Sequence, residues 1–172
     1  MKPLTPLVLT ALLALPLAAR VLAEEALPDQ ARQAMRKAGE HWATQVASHG
    51  GYVWDYTTDF ITRRRGESGN LPLSTNWVQP PGTPSVGVAF VRAYEATGEQ
   101  VYLDAAVAAA HCLAWGQLES GGWGYSIEFD LTRNRYRYHH LDPEKTANYG
   151  KLDNTTTFDD DEYIHEAIRN GA

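Results

Sequence analysis

The sequence predicts a mainly α chain of antiparallel helical hairpins, with short β-hairpins at the helix ends. Three observations predict it. Apolar residues recur at helical spacing in three stretches: Ala31, Met35, Ala38, Trp42 and Val46; Val86, Ala89, Phe90, Ala93 and Tyr94; and Leu103, Ala106, Ala110, Leu113 and Ala114. The first and third of these run into a glycine pair followed by aromatics, Gly50-Gly51-Tyr52-Val53-Trp54 and Gly121-Gly122-Trp123-Gly124-Tyr125. The second and third are joined by only Ala96-Thr97-Gly98-Glu99-Gln100, and so short a link makes the two helices antiparallel neighbours.

The first residues read as a secretory leader, 1–23. Lys2 supplies the positive start, Leu4 to Ala19 an apolar run broken by Pro6 and Pro16, and Val21-Leu22-Ala23 the small and short residues of a cleavage site. The run is short for a spanning helix, so a periplasmic or secreted location is expected, with no membrane attachment after cleavage. About 150 residues then remain, 24–172, enough for one domain with its own core. Loss of Lys2 and Arg20 with the leader takes the formal charge from −6 to −8. A chain this acidic argues against nucleic acid as a partner. Cys112 has no second cysteine to pair with and sits among Ala110, His111, Leu113 and Ala114, which reads as a small core residue.

In chain order, Asp29 is the candidate cap of the first helix, and His49-Gly50-Gly51 ends it. Tyr52, Trp54 and Tyr56 alternate, so in a strand they share a face. Residues 61–70 read as a polar surface loop carrying Arg63-Arg64-Arg65, a run that is either solvated or able to grip carboxylates. Pro80-Pro81-Gly82 is a tight turn. Thr83 is the expected cap of the second helix, with Pro84 in its first turn. The third helix is expected from about Val101 to Leu118, with His111 a structural histidine inside it.

Gln117 ends that helix and can bond backbone groups left open there, while Trp123 is large enough to pin the turn against it. The two glycine joints lie roughly seventy residues apart and read as a weak internal repeat. After the second joint, Trp123, Tyr125, Ile127 and Phe129 alternate with Ser126, Glu128 and Asp130; 131–134 is a turn; then Arg133, Arg135 and Arg137 alternate with Tyr136, Tyr138 and His140. This predicts a β-hairpin. An arginine stripe opposite a tyrosine stripe suits an acidic carbohydrate, the aromatics stacking on sugar faces and the guanidinium groups pairing with uronate. It also suits an amphipathic hairpin lying on the helices, with the tyrosines packed and the arginines in water. Residues 141–154 are irregular, and Asp159-Asp160-Asp161-Glu162 groups four acids that a divalent cation or a helix N-terminus would stabilise; hard oxygen ligands favour calcium.

Five of these stretches, in this order, resemble the bacterial helical pectate lyases of the pectic acid lyase family: Gly50 to Trp54, Trp77 to Pro84, Ala93 to Gly98, Gln117 to Tyr125, and Thr156 to Asp160. The resemblance implies an α/α toroid, of which this chain would be a partial one, and cleavage of pectate by β-elimination. It implies Ca²⁺ as cofactor, with Asp159 and Asp160 bringing acidic groups to the metal, and an arginine as base. No arginine here matches the motif that carries that base, and the acidic stretch departs from the family after Asp160, so the expectation is a truncated lyase with its catalytic residue unassigned. Trp54, Tyr125, Arg135, Arg137 and Tyr138 are the expected sugar-binding residues, and the expected partner is polygalacturonate bound by a monomer. A non-catalytic carbohydrate-binding helical module using the same side chains is the alternative. A terpenoid-cyclase-like toroid, raised by the Gln-to-Trp joint, is the third reading; its Asp-x-Asp-Asp acid is not matched by Asp159-Asp160-Asp161-Glu162.

Overall fold

The computed structural model describes residues 28–65 and 69–157. The leader, residues 66–68 and the acidic stretch with Asp159 and Asp160 lie outside the described residues. The chain divides into two compact units, one ending at Glu40 and the other beginning at His41. In the first, residues 28–40 are helical (α1, which extends to residue 41) and an exposed Arg36–Glu40 pair at 2.9 Å ties one turn to the next. Such i,i+4 pairs add only about 0.3–0.5 kcal/mol. Ala31, Met35 and Ala38, expected to face a core, are exposed.

The second unit opens with a π-helical turn, Trp42–Val46, and then alternates short strands with one helical hairpin. Strands β1 (Asp55–Tyr56), β2 (Arg63–Arg64) and β3 (Asn70–Leu71) form one antiparallel sheet in that order. Strands β4 (Thr75–Trp77) and β5 (Ser126–Glu128) form the other, pairing Thr75 with Glu128, Asn76 with Ile127 and Trp77 with Ser126. Between them run α2 (Thr83–Thr97) and α3 (Gln100–Trp115), packed against each other. Gly98 closes α2 in the left-handed region, φ 70°, its N–H reaching the Tyr94 carbonyl, so the link turns without a side chain in the way.

The expected toroid is therefore corrected to a small mixed α/β domain, with one helical hairpin and two small antiparallel sheets among the described residues. The reason lies in what separates the apolar stretches. Residues 47–82 and 116–157 are rich in glycine, proline, aromatics and alternating polar side chains, which favour strands and turns over further helix. The expected hairpin after the second joint is corrected too: β5 pairs with β4, whereas the 135–138 segment bridges Leu118 through Tyr138 and Asp153 through Tyr136. Along α3 the buried residues are Tyr102, Ala105, Ala106, Ala109 and Cys112; Ala110, His111 and Ala114 are exposed. So much alanine leaves several faces equally apolar, and the inner one cannot be told by period.

Two apolar clusters result. One gathers Val46, Tyr52, Phe90, Tyr102, Ala105 and Ala106, flanked by Trp42, Val86 and Tyr94. The other gathers Cys112, Leu118, Ile127 and Tyr138, flanked by Trp115, Trp123 and Phe129. The Phe129 ring lies between His49, at 4.3 Å, and Trp115, at 4.2 Å, both stacked. The two glycine joints have the same construction. At each, the first glycine takes positive φ, 75° at Gly50 and 92° at Gly121. The second is closely approached: a Cβ on Gly51 would strike Asn76 and Cys112, and one on Gly122 would strike Thr156. Both joints then feed the same short segment. Trp77 N–H donates to the Tyr52 carbonyl and Val78 N–H to that of Tyr125, each at 2.8 Å.

Candidate functional site

The arginine triplet is split by its strand. Arg63 points inward and is buried, donating to the Pro72 carbonyl at 2.7 Å and to Asn76 Oδ1 at 2.6 Å. Burial lowers its pKa, while Tyr56 beside it acts the other way. Arg64 faces outward and pairs across the sheet with Asp55 at 3.3 Å. Arg65, just past the strand, is exposed and lines a hollow. In place of the polar loop expected over 61–70, residues 63–64 thus form the central strand of the three-stranded sheet, and its first arginine supports the interior.

That hollow, about 350 Å³, gathers Arg65, Arg133, Arg135 and Glu128. The β4–β5 register builds its floor. Thr75 and Trp77 on one strand and Ser126 and Glu128 on the other face it, while the intervening Asn76 and Ile127 are fully buried behind. Arg65 and Asn70 come from the β2–β3 side, and Arg133, Arg135 and Tyr136 from the segment after β5. Trp77 carries Tyr125 stacked on it, ring centroids 5.9 Å apart and planes 15° from parallel. Trp54 meets the Trp77 ring edge-on at 6.5 Å.

Among the described residues Glu128 is the one acid lining this hollow, and it is held firmly. It accepts from the Thr75 hydroxyl at 2.8 Å and the Asp130 N–H at 3.0 Å, with Arg133 Nε 3.7 Å away. Asp130 in turn accepts from the Thr132 N–H and hydroxyl, which keeps its carboxyl below the usual range. The Arg133 side chain is 57% exposed, so its hold on Glu128 is loose and leaves it able to turn toward a ligand. The site offers guanidinium donors at its rim, hydroxyl and carboxylate acceptors at its floor, and a flat aromatic wall.

The expected sugar-binding residues fall in three places. Arg135 lines the hollow, with Tyr125 and Trp54 on the aromatic wall beside it. Arg137 turns away: it pairs with Glu119 at 3.3 Å and stacks 5.0 Å over the Tyr149 ring, fixing the 149–153 segment. Tyr138 is completely buried, its hydroxyl accepting the Glu128 N–H at 2.7 Å, and burial pushes its pKa up. Sequence reasoning missed Thr75, Trp77 and Glu128 as lining residues. The signal was present in the alternation of Ser126 and Glu128 with Ile127, but which strand they paired with was not.

Asp159 and Asp160, the expected calcium ligands, lie outside the described residues. Among the described residues no group of three or more His, Cys, Asp or Glu side chains gathers as a metal site, so no step is derived through calcium. Nor, among them, is any helix long and apolar enough to cross a membrane. Compared with family models, curated proteins and solved structures, the chain matches none.

Proposed function

We propose that the hollow over β4 and β5 binds an acidic polysaccharide of the pectate type, and that the protein acts on it as an exported polysaccharide lyase. The observation that carries the binding reading is the stacked Trp77–Tyr125 pair beside Arg65, Arg133 and Arg135. A uronate has an apolar ring face and a carboxylate on the same unit. The first stacks on a flat aromatic surface, and the second takes charge-assisted bonds from guanidinium at about 1.5–3 kcal/mol each. Thr75, Ser126 and Glu128 supply partners for its hydroxyls. The lyase step rests on the resemblance of the glycine joints and the Thr156 to Asp160 stretch, and export on the leader-like residues 1–23.

Incubation of the full chain with polygalacturonate, with and without Ca²⁺, tests both parts. Rising ultraviolet absorbance from unsaturated uronate supports a lyase. Saturable binding with no absorbance change reduces the reading to a carbohydrate-binding module. Absence of binding removes the acidic polysaccharide altogether.

A further inference from the structure

A second hollow of about 330 Å³ is lined by Trp54, and it differs from the first in charge. Its walls include Trp42, Trp54, Tyr56, Phe60, Pro81 and Val86, and among the described residues no lysine or arginine lines it. Its single acid, Asp55, is already paired with Arg64 at 3.3 Å. The aromatics are fixed by their mutual packing, Trp42 meeting Tyr56 at 5.6 Å and Phe60 at 5.9 Å, both edge-to-face. Phe60 is 39% exposed and holds φ 60°, a conformation a bulky side chain adopts only when the surroundings impose it. Here the loop imposes it: Asp59 accepts from the Thr57 hydroxyl at 2.6 Å and the Ile61 N–H at 3.0 Å, and Thr57 N–H donates to the Thr62 carbonyl at 3.0 Å. A large apolar ring is thereby held at the rim of an aromatic hollow.

The two hollows have no lining residue in common but meet through one ring contact. Trp54 lines the aromatic one, Trp77 the arginine-bearing one, and the rings touch at 6.5 Å. We infer that the aromatic hollow is a second sugar subsite, taking an uncharged pyranose unit of the same chain whose uronate sits among the arginines. Aromatic walls stack on a sugar face whatever its charge, but a carboxylate brought here would lose water and approach Asp55, whose partner Arg64 is already engaged. The preferred ligand is accordingly a mixed chain, a uronate followed by a unit without charge. That unit is either a neutral sugar or a uronate whose carboxyl is esterified; the two present the same chemistry to the hollow. The inference rests on the arginine-bearing site binding uronate.

Calorimetric titration of the full chain with three oligosaccharides of equal length separates the cases: all uronate, partly methyl-esterified uronate, and alternating uronate and neutral sugar. The expected result is tighter binding of the mixed chains, by about tenfold, equivalent to about 1.4 kcal/mol. Phe60→Ala should abolish that preference while leaving affinity for the all-uronate chain within about twofold, and Trp54→Phe, whose ring also meets Trp77 of the arginine-bearing site, should abolish the preference whatever it does to overall affinity. Phe60→Ala, at an exposed rim, guards against a Trp54 variant that fails to fold. Equal affinity for all three ligands, or a preference that survives both substitutions, overturns the second subsite. If none of the three binds, the uronate reading itself has failed. Preference for the esterified chain alone assigns the uncharged unit to an ester, and preference for the alternating chain alone assigns it to a neutral sugar; either supports the subsite.

Discussion

The hydroxyl of Thr83 bonds the backbone of Tyr52 in both directions, accepting from its N–H at 3.0 Å and donating to its carbonyl at 3.1 Å. Thr83 stands at the start of α2 but does not cap it; Gly82 precedes the helix with no side-chain cap, and Thr83 is fully buried. One side chain thus fastens the helical hairpin to the first glycine joint.

Removing this clasp should be expensive. Thr83→Val keeps the shape and leaves the Tyr52 N–H buried without a partner, a loss of about 1–3 kcal/mol. Thr83→Ser keeps the hydroxyl and should lose less. Urea denaturation of the three proteins checks the order; a Val variant as stable as the parent would contradict it.

Arg135 and Arg137 are two residues apart, and their substitutions should diverge. Arg135→Ala should weaken polygalacturonate binding about tenfold, more at low salt than at high, with little change in melting temperature. Arg137→Ala should leave binding nearly unchanged and lower stability instead, because its contacts are with Glu119 and Tyr149. Parallel binding titrations and thermal melts distinguish them; equal loss of affinity in both would return Arg137 to the site.

Tyr138→Phe removes the acceptor of the Glu128 N–H and should destabilise the fold by about 1–3 kcal/mol. Glu128 forms part of the hollow's floor, so the variant also tests whether that floor depends on the core behind it. Denaturation should shift while the circular dichroism of the folded state is retained.

Stability should fall on the alkaline side. Burial pushes the Cys112 thiol up to about 11 and raises Tyr52 and Tyr138 as well. These groups are neutral when protonated, so with raised folded values the native state keeps protons that the unfolded chain gives up. Their contribution is fully present below the unfolded thiol value of about 8.5 and declines as pH rises toward 11. Urea midpoints measured at pH 8 and pH 10.5 should differ, and Cys112→Ala should remove the earlier part of the decline. Equal midpoints would contradict the assignment.

What the sequence revealed was local. The α2–α3 link, the turn at each glycine joint and the pinning of Trp123, whose Nε1 donates to the Leu113 carbonyl at 2.7 Å, all follow from residues close along the chain. Gln117 behaves similarly, though its side chain donates to the Gly121 carbonyl across the turn, at 2.8 Å, instead of to the helix end. What stayed hidden was pairing at a distance. Nothing near Ser126 announces that its partner is Trp77, and nothing in Arg63-Arg64-Arg65 tells which arginine goes inside. Strand partners and the inward residue of a short strand are settled by the packing of the whole, with the buried Asn76 accepting Arg63 as the deciding contact.

The consecutive amides of Trp77 and Val78, each bound to a different joint, bear on how the domain comes apart. Fraying at either joint frees one of these N–H groups and tilts the peptide shared with the other, so neither half has a private route to unfolding. Hydrogen–deuterium exchange at the two amides should therefore proceed at matching slow rates, reporting a single cooperative opening that takes in both joints.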